Sequence, residues 1–255
     1  MISDLHVHTL FSCDSKTTMT EYCEEAIRQG VKYICFTDHV DYNENDYGFG
    51  YYKPHDFFEE FRRAQDRYSD KIILLSGIEF SEPHLYPREF VNLSKLPYDF
   101  ILGSVHYWID DLFASQMKAK GITLEEAFER YWEEVYKAVS AGGFDSLAHM
   151  DFPKRYYKDS VWDKDMVCDI FKVMLKNSIS LEINTSSLRK GLPETMPSND
   201  LLGIYERVGG VNVTIGSDSH SISELAKGYS EATDMLTPAL VNGFYKNRQF
   251  IAFHK

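Results

Sequence analysis

Hydrophobic and polar positions along the chain switch repeatedly between two periods. Ile2–Val7 alternates every second residue, as a half-buried strand does. Thr18-Met19-Thr20-Glu21 has the form of a capping box and opens a helix to about Gln29, which Gly30 stops. Val31–Thr37 is an apolar run suited to a strand buried on both faces, and it ends in Asp38-His39. Pro54 opens a helix with Phe57, Phe58, Phe61 and Ala64 on one face. Lys71–Ile78 is a strand ending in Glu79, and Tyr98–Val105 is one ending in His106. Thr123–Glu126 has the form of a second capping box, and its helix runs to about Ala141, before Gly142-Gly143. A short strand at Phe144–Ala148 precedes His149 and Asp151. Met166–Lys176 is helical, Ser178–Leu181 begins a strand continuing into Glu182-Ile183-Asn184-Thr185, and Leu201–Val208 is helical up to Gly209-Gly210. Val211–Ile215 is a strand running into Asp218 and His220; a helix at about Ile222–Leu236 and a terminal strand at Gln249–Phe253 finish the chain.

Strand–helix alternation with helical crossovers implies parallel strands, arranged as a barrel or a doubly wound sheet. No linker or low-complexity stretch interrupts it, so one domain over residues 1–255 is expected. The net charge of -12 argues against a general nucleic-acid binder. Four cysteines without paired spacing suggest neither a disulfide framework nor a thiolate zinc site. No segment has the form of a signal peptide or bilayer span, and a cytoplasmic protein is expected.

Candidate chemistry lies at the strand ends. His6, His8, His39, Glu79, His106, His149, Asp218 and His220 all fall at C-terminal ends of expected strands; only His55, His84 and His254 fall elsewhere. In a parallel α/β barrel those ends share one face, where loops build the active site. A lone strand-end histidine is more often a loop residue than a ligand, and Glu79 or Asp218 alone could be a solvated turn position. Six histidines and two acids on one rim are poorly explained that way. Alternation along Asp4-Leu5-His6-Val7-His8 puts both imidazoles on one face with Asp4, which could receive a ring N–H. Imidazole and carboxylate donors without thiolate suit zinc, iron or manganese, and there are enough for two or three ions. Clustered ions with a bridging carboxylate, here Glu79, hydrolyse phosphate esters by activating water and holding phosphoryl oxygens.

The ordered set Asp4-x-His6-x-His8, Thr37-Asp38-His39, Glu79, His106, His149 and Asp218-x-His220 resembles the polymerase and histidinol phosphatase (PHP) superfamily over essentially the whole chain. The resemblance implies a distorted (β/α)7 barrel with a trinuclear metal cluster at its C-terminal rim. It implies one ion held by His6, His8, Glu79 and Asp218, a second by Glu79, His106 and His149, and a third by Asp14, His39 and His220. Some relatives have histidine where this chain has Asp14. The stretches 148–156 and 182–190 are similar to those of the monofunctional histidinol-phosphate phosphatases. They carry Arg155 and Arg189, each able to clamp a phosphate. The expected reaction is hydrolysis of L-histidinol phosphate, with Asp218 or His220, or water, protonating the leaving alkoxide. The loop Asp41–Tyr52 is a candidate lid whose acids and tyrosines suit a cationic substrate. Two rivals remain: a PHP phosphoesterase or nuclease acting on nucleotides, and a non-catalytic metal-binding interaction module.

Overall fold

The computed structural model describes residues 1–253; His254 lies outside the described residues. Strands β1 (Ile2–Val7), β2 (Val31–Val40), β3 (Ile73–Ser81) and β4 (Phe100–Ser104) pair in parallel in chain order. A small hairpin of β5 (Tyr107–Ile109) and β6 (Leu112–Phe113) then leaves the sheet. The sheet resumes with β7 (Ser146–Leu147), β8 (Ser180–Asn184) and β9 (Asn212–Gly216), again parallel. Beyond β9 the chain pairs back to β1 through a single bridge, Val7 to Ser219, so β1–β4 and β7–β9 curve into a distorted barrel.

Helices cover the outside as the patterns require. The helix Met19–Gln29 has a complete capping box at Thr18 and Glu21, and it buries Tyr22, Cys23 and Ala26. Pro54–Tyr68 buries Phe57, Phe61, Ala64 and Tyr68. Leu124–Ala141 starts with only half of the expected box, the Thr123 side chain accepting from the Glu126 N–H. A smaller apolar cluster fills the barrel interior, with Leu5, Cys35, Leu75, Phe100, Leu102, Ala148 and Tyr245.

At the C-terminal end one expectation changes, and the expected terminal strand gains a partner. The helix expected over 222–236 is broken into a 3₁₀ turn at Ile222–Glu224 and a short helix at Tyr229–Asp234. Ala226 and Gly228 between them both have positive φ, which no continuous helix tolerates. The terminal strand β11 (Gln249–Ala252) pairs antiparallel with β10 (Val241–Lys246). Asn247 and Arg248 make the two-residue turn, both in the left-handed region that such hairpins use. This hairpin closes the barrel's N-terminal end: Tyr245 stacks on Phe100, and Arg248 donates to Asp145 (2.5 Å) and to the carbonyl of Gly143 (2.6 Å). The opposite end, where the strands finish, holds the polar residues.

Candidate metal centre

Glu79 follows Leu75 and Gly77 in the inward row of β3 and is fully buried. Five imidazoles face its two oxygens. Oε2 lies 3.3 Å from His6 Nε2, 3.6 Å from His8 Nε2 and 3.0 Å from His39 Nδ1. Oε1 lies 2.8 Å from His149 Nε2 and 3.4 Å from His106 Nε2. Asp218 Oδ1 faces the same His6 and His8 nitrogens at 3.9 and 3.5 Å. Asp14 Oδ2 lies 3.1 Å from His220 Nε2 and 3.6 Å from His39 Nε2. All nine expected ligands thus meet on one rim. Three sets bring their donor atoms within 4.8 Å of one another: His6, His8 and Asp218; His39, Glu79 and His106; and His8, His39 and His220.

Hydrogen bonding shows which atoms are prepared for a cation. Asp38 accepts from Thr9 N–H, Thr9 Oγ1 and Ser12 Oγ. Ser12 Oγ, having given its proton to Asp38, can only accept from His8 Nδ1 at 3.0 Å, so Nδ1 carries the ring proton. His8 Nε2 is then a bare lone pair, buried and without a hydrogen-bond partner, facing two carboxylates that also have only lone pairs to offer. A divalent cation satisfies all three, and the oxygen and imidazole donors fit one. Burial, with His220 and His39 nearby, pushes His8 well below its ordinary pKa and keeps it neutral, as a ligand must be. Burial resists ionisation of Glu79, but His6 and His39 outweigh it and hold the carboxylate well below its usual range.

Asp4 does not take the place expected of it. Between Asp4 and Val7 the pairing with β2 gains one residue on β1, since Asp4 sits opposite Ile34 and Val7 opposite Phe36. The register shift turns Leu5 and His6 both inward and leaves Asp4 on the other side. There Asp4 accepts from Ser217 N–H (2.9 Å), Ser217 Oγ and Ala226 N–H (2.7 Å), anchoring the loop that carries Asp218. The ring partner of His6 is instead Glu182, with Oε1 2.6 Å from Nδ1. Glu182 was missed as a site residue, because in the alternating strand Ser180–Asn184 it reads as an ordinary polar position.

A cavity of about 450 Å³ opens over these groups, within the usual range for small ligands. Arg155 lines it, stacked 5.0 Å over Phe152, with Nη2 donating to Asp218 Oδ2 (2.5 Å) and Ser186 Oγ (2.6 Å) and Nε unpartnered. Arg189, expected beside it as a phosphate clamp, is not among the lining residues. It lies behind Asp218, donating from Nη2 to that residue's carbonyl (3.1 Å), with Nε 3.5 Å from Glu224 Oε1 and Nη1 without a hydrogen-bond partner. His220 Nδ1 is 3.1 Å from the same carbonyl. Both ring nitrogens of His220 are therefore engaged, one there and one with Asp14.

From the loop Asp41–Tyr52, the residues Asp41, Asn45, Asp46 and Tyr47 form one wall, whereas Tyr42 stacks on Phe80 away from the cavity. Phe113, Phe152 and Tyr156 form the aromatic wall. Cys13 also lines the cavity; burial and neighbouring Asp14 push its thiol up to about 12, so it remains a neutral thiol.

Residues 4–186 match the PHP domain. A probable histidinol-phosphatase of Clostridium acetobutylicum is 32% identical over 249 residues, covering 92% of each chain. The histidinol-phosphatase of Lactococcus lactis is 29% identical over 232 residues, covering 85% of this chain and 83% of its own. Among solved structures, the histidinol phosphate phosphatase of Lactococcus lactis, complexed with zinc, L-histidinol and phosphate, superposes with a TM-score of 0.79 at 24% identity, covering 98% of each chain. That likeness concerns the fold.

Proposed function

The chain belongs to the PHP domain family, and from that premise we propose that it hydrolyses L-histidinol phosphate to L-histidinol and phosphate as a metal-dependent phosphoric monoester hydrolase. The observation that carries the reading is the unpartnered Nε2 of His8 between the carboxylates of Glu79 and Asp218, an arrangement suited to a divalent cation. His6, His8, Glu79 and Asp218 would hold one ion; Glu79, His106 and His149 a second; Asp14, His39 and His220 a third. Zinc, iron or manganese suits these donors, in two or three ions. When bound, the cations lower the pKa of water and offset charge on the phosphoryl oxygens.

The protein's own residues do the rest. Arg155 at the cavity wall supplies donors to the phosphoryl oxygens where charge builds up in the transition state. Arg189 secures the Asp218 backbone from behind, where its Nε also faces Glu224, and adds its positive charge to the site from there. Asp218 accepts from Arg155 and Ser186 and faces two imidazoles, and His220 has both nitrogens engaged. We therefore assign protonation of the leaving alkoxide to water rather than to either residue. The Asp41–Asp46 wall and the aromatic wall suit the ammonium and imidazole of the substrate. Loop Asp41–Tyr52 acts as the lid, and the reaction belongs to cytoplasmic histidine biosynthesis.

The test is a phosphatase screen on metal-analysed protein, comparing histidinol phosphate with nucleotides and sugar phosphates. We expect the highest kcat/KM for histidinol phosphate. A wide preference for a nucleotide would overturn the substrate, and no turnover by fully loaded protein would overturn the enzyme.

A further inference from the structure

We propose that Glu182 is a positioning residue that joins two halves of the metal centre, setting the ring of His6 and the backbone of His149 with one carboxylate. The inference rests on the ligand roles proposed above. Glu182 is 1% exposed in the middle of β8, and its one ion-pair partner among the described residues is His6. Among the described residues no lysine or arginine compensates it, so the carboxylate must be held by hydrogen bonds. Oε1 accepts from His6 Nδ1 at 2.6 Å, and Oε2 accepts from the His149 N–H at 2.8 Å and from Asn184 Nδ2 at 3.1 Å.

Each bond sets a ligand. A proton on His6 Nδ1 leaves the Nε2 lone pair facing Glu79 Oε2, 3.3 Å away. His149 has φ of +27°, a conformation that costs a non-glycine residue, and its N–H is pinned by Glu182. That posture brings His149 Nε2 within 2.8 Å of Glu79 Oε1. The two oxygens of Glu182 are thus matched, through two histidines, to the two oxygens of Glu79. The arrangement exists because Gly216 faces it: a Cβ there would lie 2.5 Å from Glu182 Oε1 and against His6 Cβ.

Glu182→Gln separates this role from simple packing. A glutamine has one accepting oxygen, so it can serve His6 or His149 but not both. Zinc titration of the chelated, refilled protein, in competition with a chromophoric chelator and without substrate, should show two ions bound about 10- to 100-fold more weakly. The ion at Asp14, His39 and His220, which Glu182 does not touch, should be unchanged. Activity, where it is measured, should recover as zinc is raised. A folded Glu182→Gln protein with the wild-type zinc isotherm would overturn the proposal. Should the variant not fold, ring ¹⁵N spectra of the wild-type zinc protein decide instead: His6 must be protonated at Nδ1 and bound to metal through Nε2, and the reverse tautomer overturns the proposal. Neither experiment uses a phosphate ester, so a wrong substrate assignment would leave both readable.

Discussion

Gly216→Ala tests how tightly the metal centre is built. Gly216 ends β9 with ordinary backbone angles, so alanine is conformationally allowed and the cost is steric. The new Cβ would lie 2.5 Å from Glu182 Oε1, against His6 Cβ, and 3.3 Å from the His6 nitrogen. Carbon atoms pack at roughly 3.5–4.0 Å, so the overlap is about 1 Å and falls on two buried, hydrogen-bonded side chains rather than on a flexible tip. Overpacking of this kind costs about 1–3 kcal/mol. In a chain of this length that corresponds to a melting temperature lower by roughly 2–12 °C. A shift of His6 by about 1 Å from its place beside Glu79 should cost about 100-fold in kcat/KM. Gly121→Ala is the control: its φ is +81° with nothing within 4 Å, so it pays only backbone strain, about 1–2 kcal/mol, and leaves the rim untouched. Thermal melts and kcat/KM on both zinc-loaded variants are the assay. If Gly216→Ala matched wild type in both, the packing of His6 against Glu182 and β9 would not be what sets the site.

Glu79→Gln removes the charge that five imidazoles share, and metal analysis should show loss of bound ions together with activity while circular dichroism stays native; retained metal and full activity would remove Glu79 from the centre. Arg155→Met should lower kcat by about 100-fold or more with metal content unchanged, whereas Arg189→Ala, acting from behind Asp218, should cost less; equal kinetics for Arg155→Met and wild type would exclude it from phosphoryl contact. Burial raises the Asp145 carboxyl to about 6, against the pull of Arg248, so the folded state holds a proton that the unfolded state has released from about pH 4 upward. Its contribution to stability is therefore present at low pH and lost as pH rises through about 6. The melting temperature of wild type minus that of Asp145→Asn should fall between pH 4 and 6 and then level off; a difference that rises over that window would contradict the assignment.

The strand ends were legible because a parallel strand buried on both faces is an apolar run, and the first ionisable residue after it marks the rim. Glu79 after Ile73–Ile78 and the pair Asp38-His39 after Val31–Thr37 are of this kind. What alternation could not show was the extra residue in β1, since a register shift is a relation between two strands. That one residue moved Asp4 from the histidine face to the Ser217 loop. Glu182 escaped notice because in Ser180–Asn184 it occupies a regular alternate position, and only its partners reveal that the position faces inward. Arg189 was legible as a cation near the site but not in direction, which depends on how the short helix Ser186–Arg189 turns against the Asp218 loop. The β10–β11 hairpin was half read because its turn, Asn247-Arg248, lacks the glycine that usually marks it.

The candidate ligands straddle the barrel's thinnest seam, one bridge against the two paired positions of β4–β7 and of β7–β8. β2 and β3 share eight paired positions, but β1 meets the chain after β9 at one bridge, held by His8 N–H to the Ser219 carbonyl (2.8 Å) and Ser219 N–H to the His6 carbonyl (3.2 Å). His6 and His8 lie on one side of that seam, and Asp218 and His220 on the other. Cations held between them, as proposed, would therefore stabilise the closed barrel as well as serve the chemistry, because binding that requires the closed form shifts the equilibrium toward it. Chelation should raise hydrogen exchange at the His8 and Ser219 amides well before it reaches the β2–β3 amides, and refilling with zinc should restore protection. Uniform exchange across both pairs, or none at the seam, would mean that the barrel closes without help from the ions.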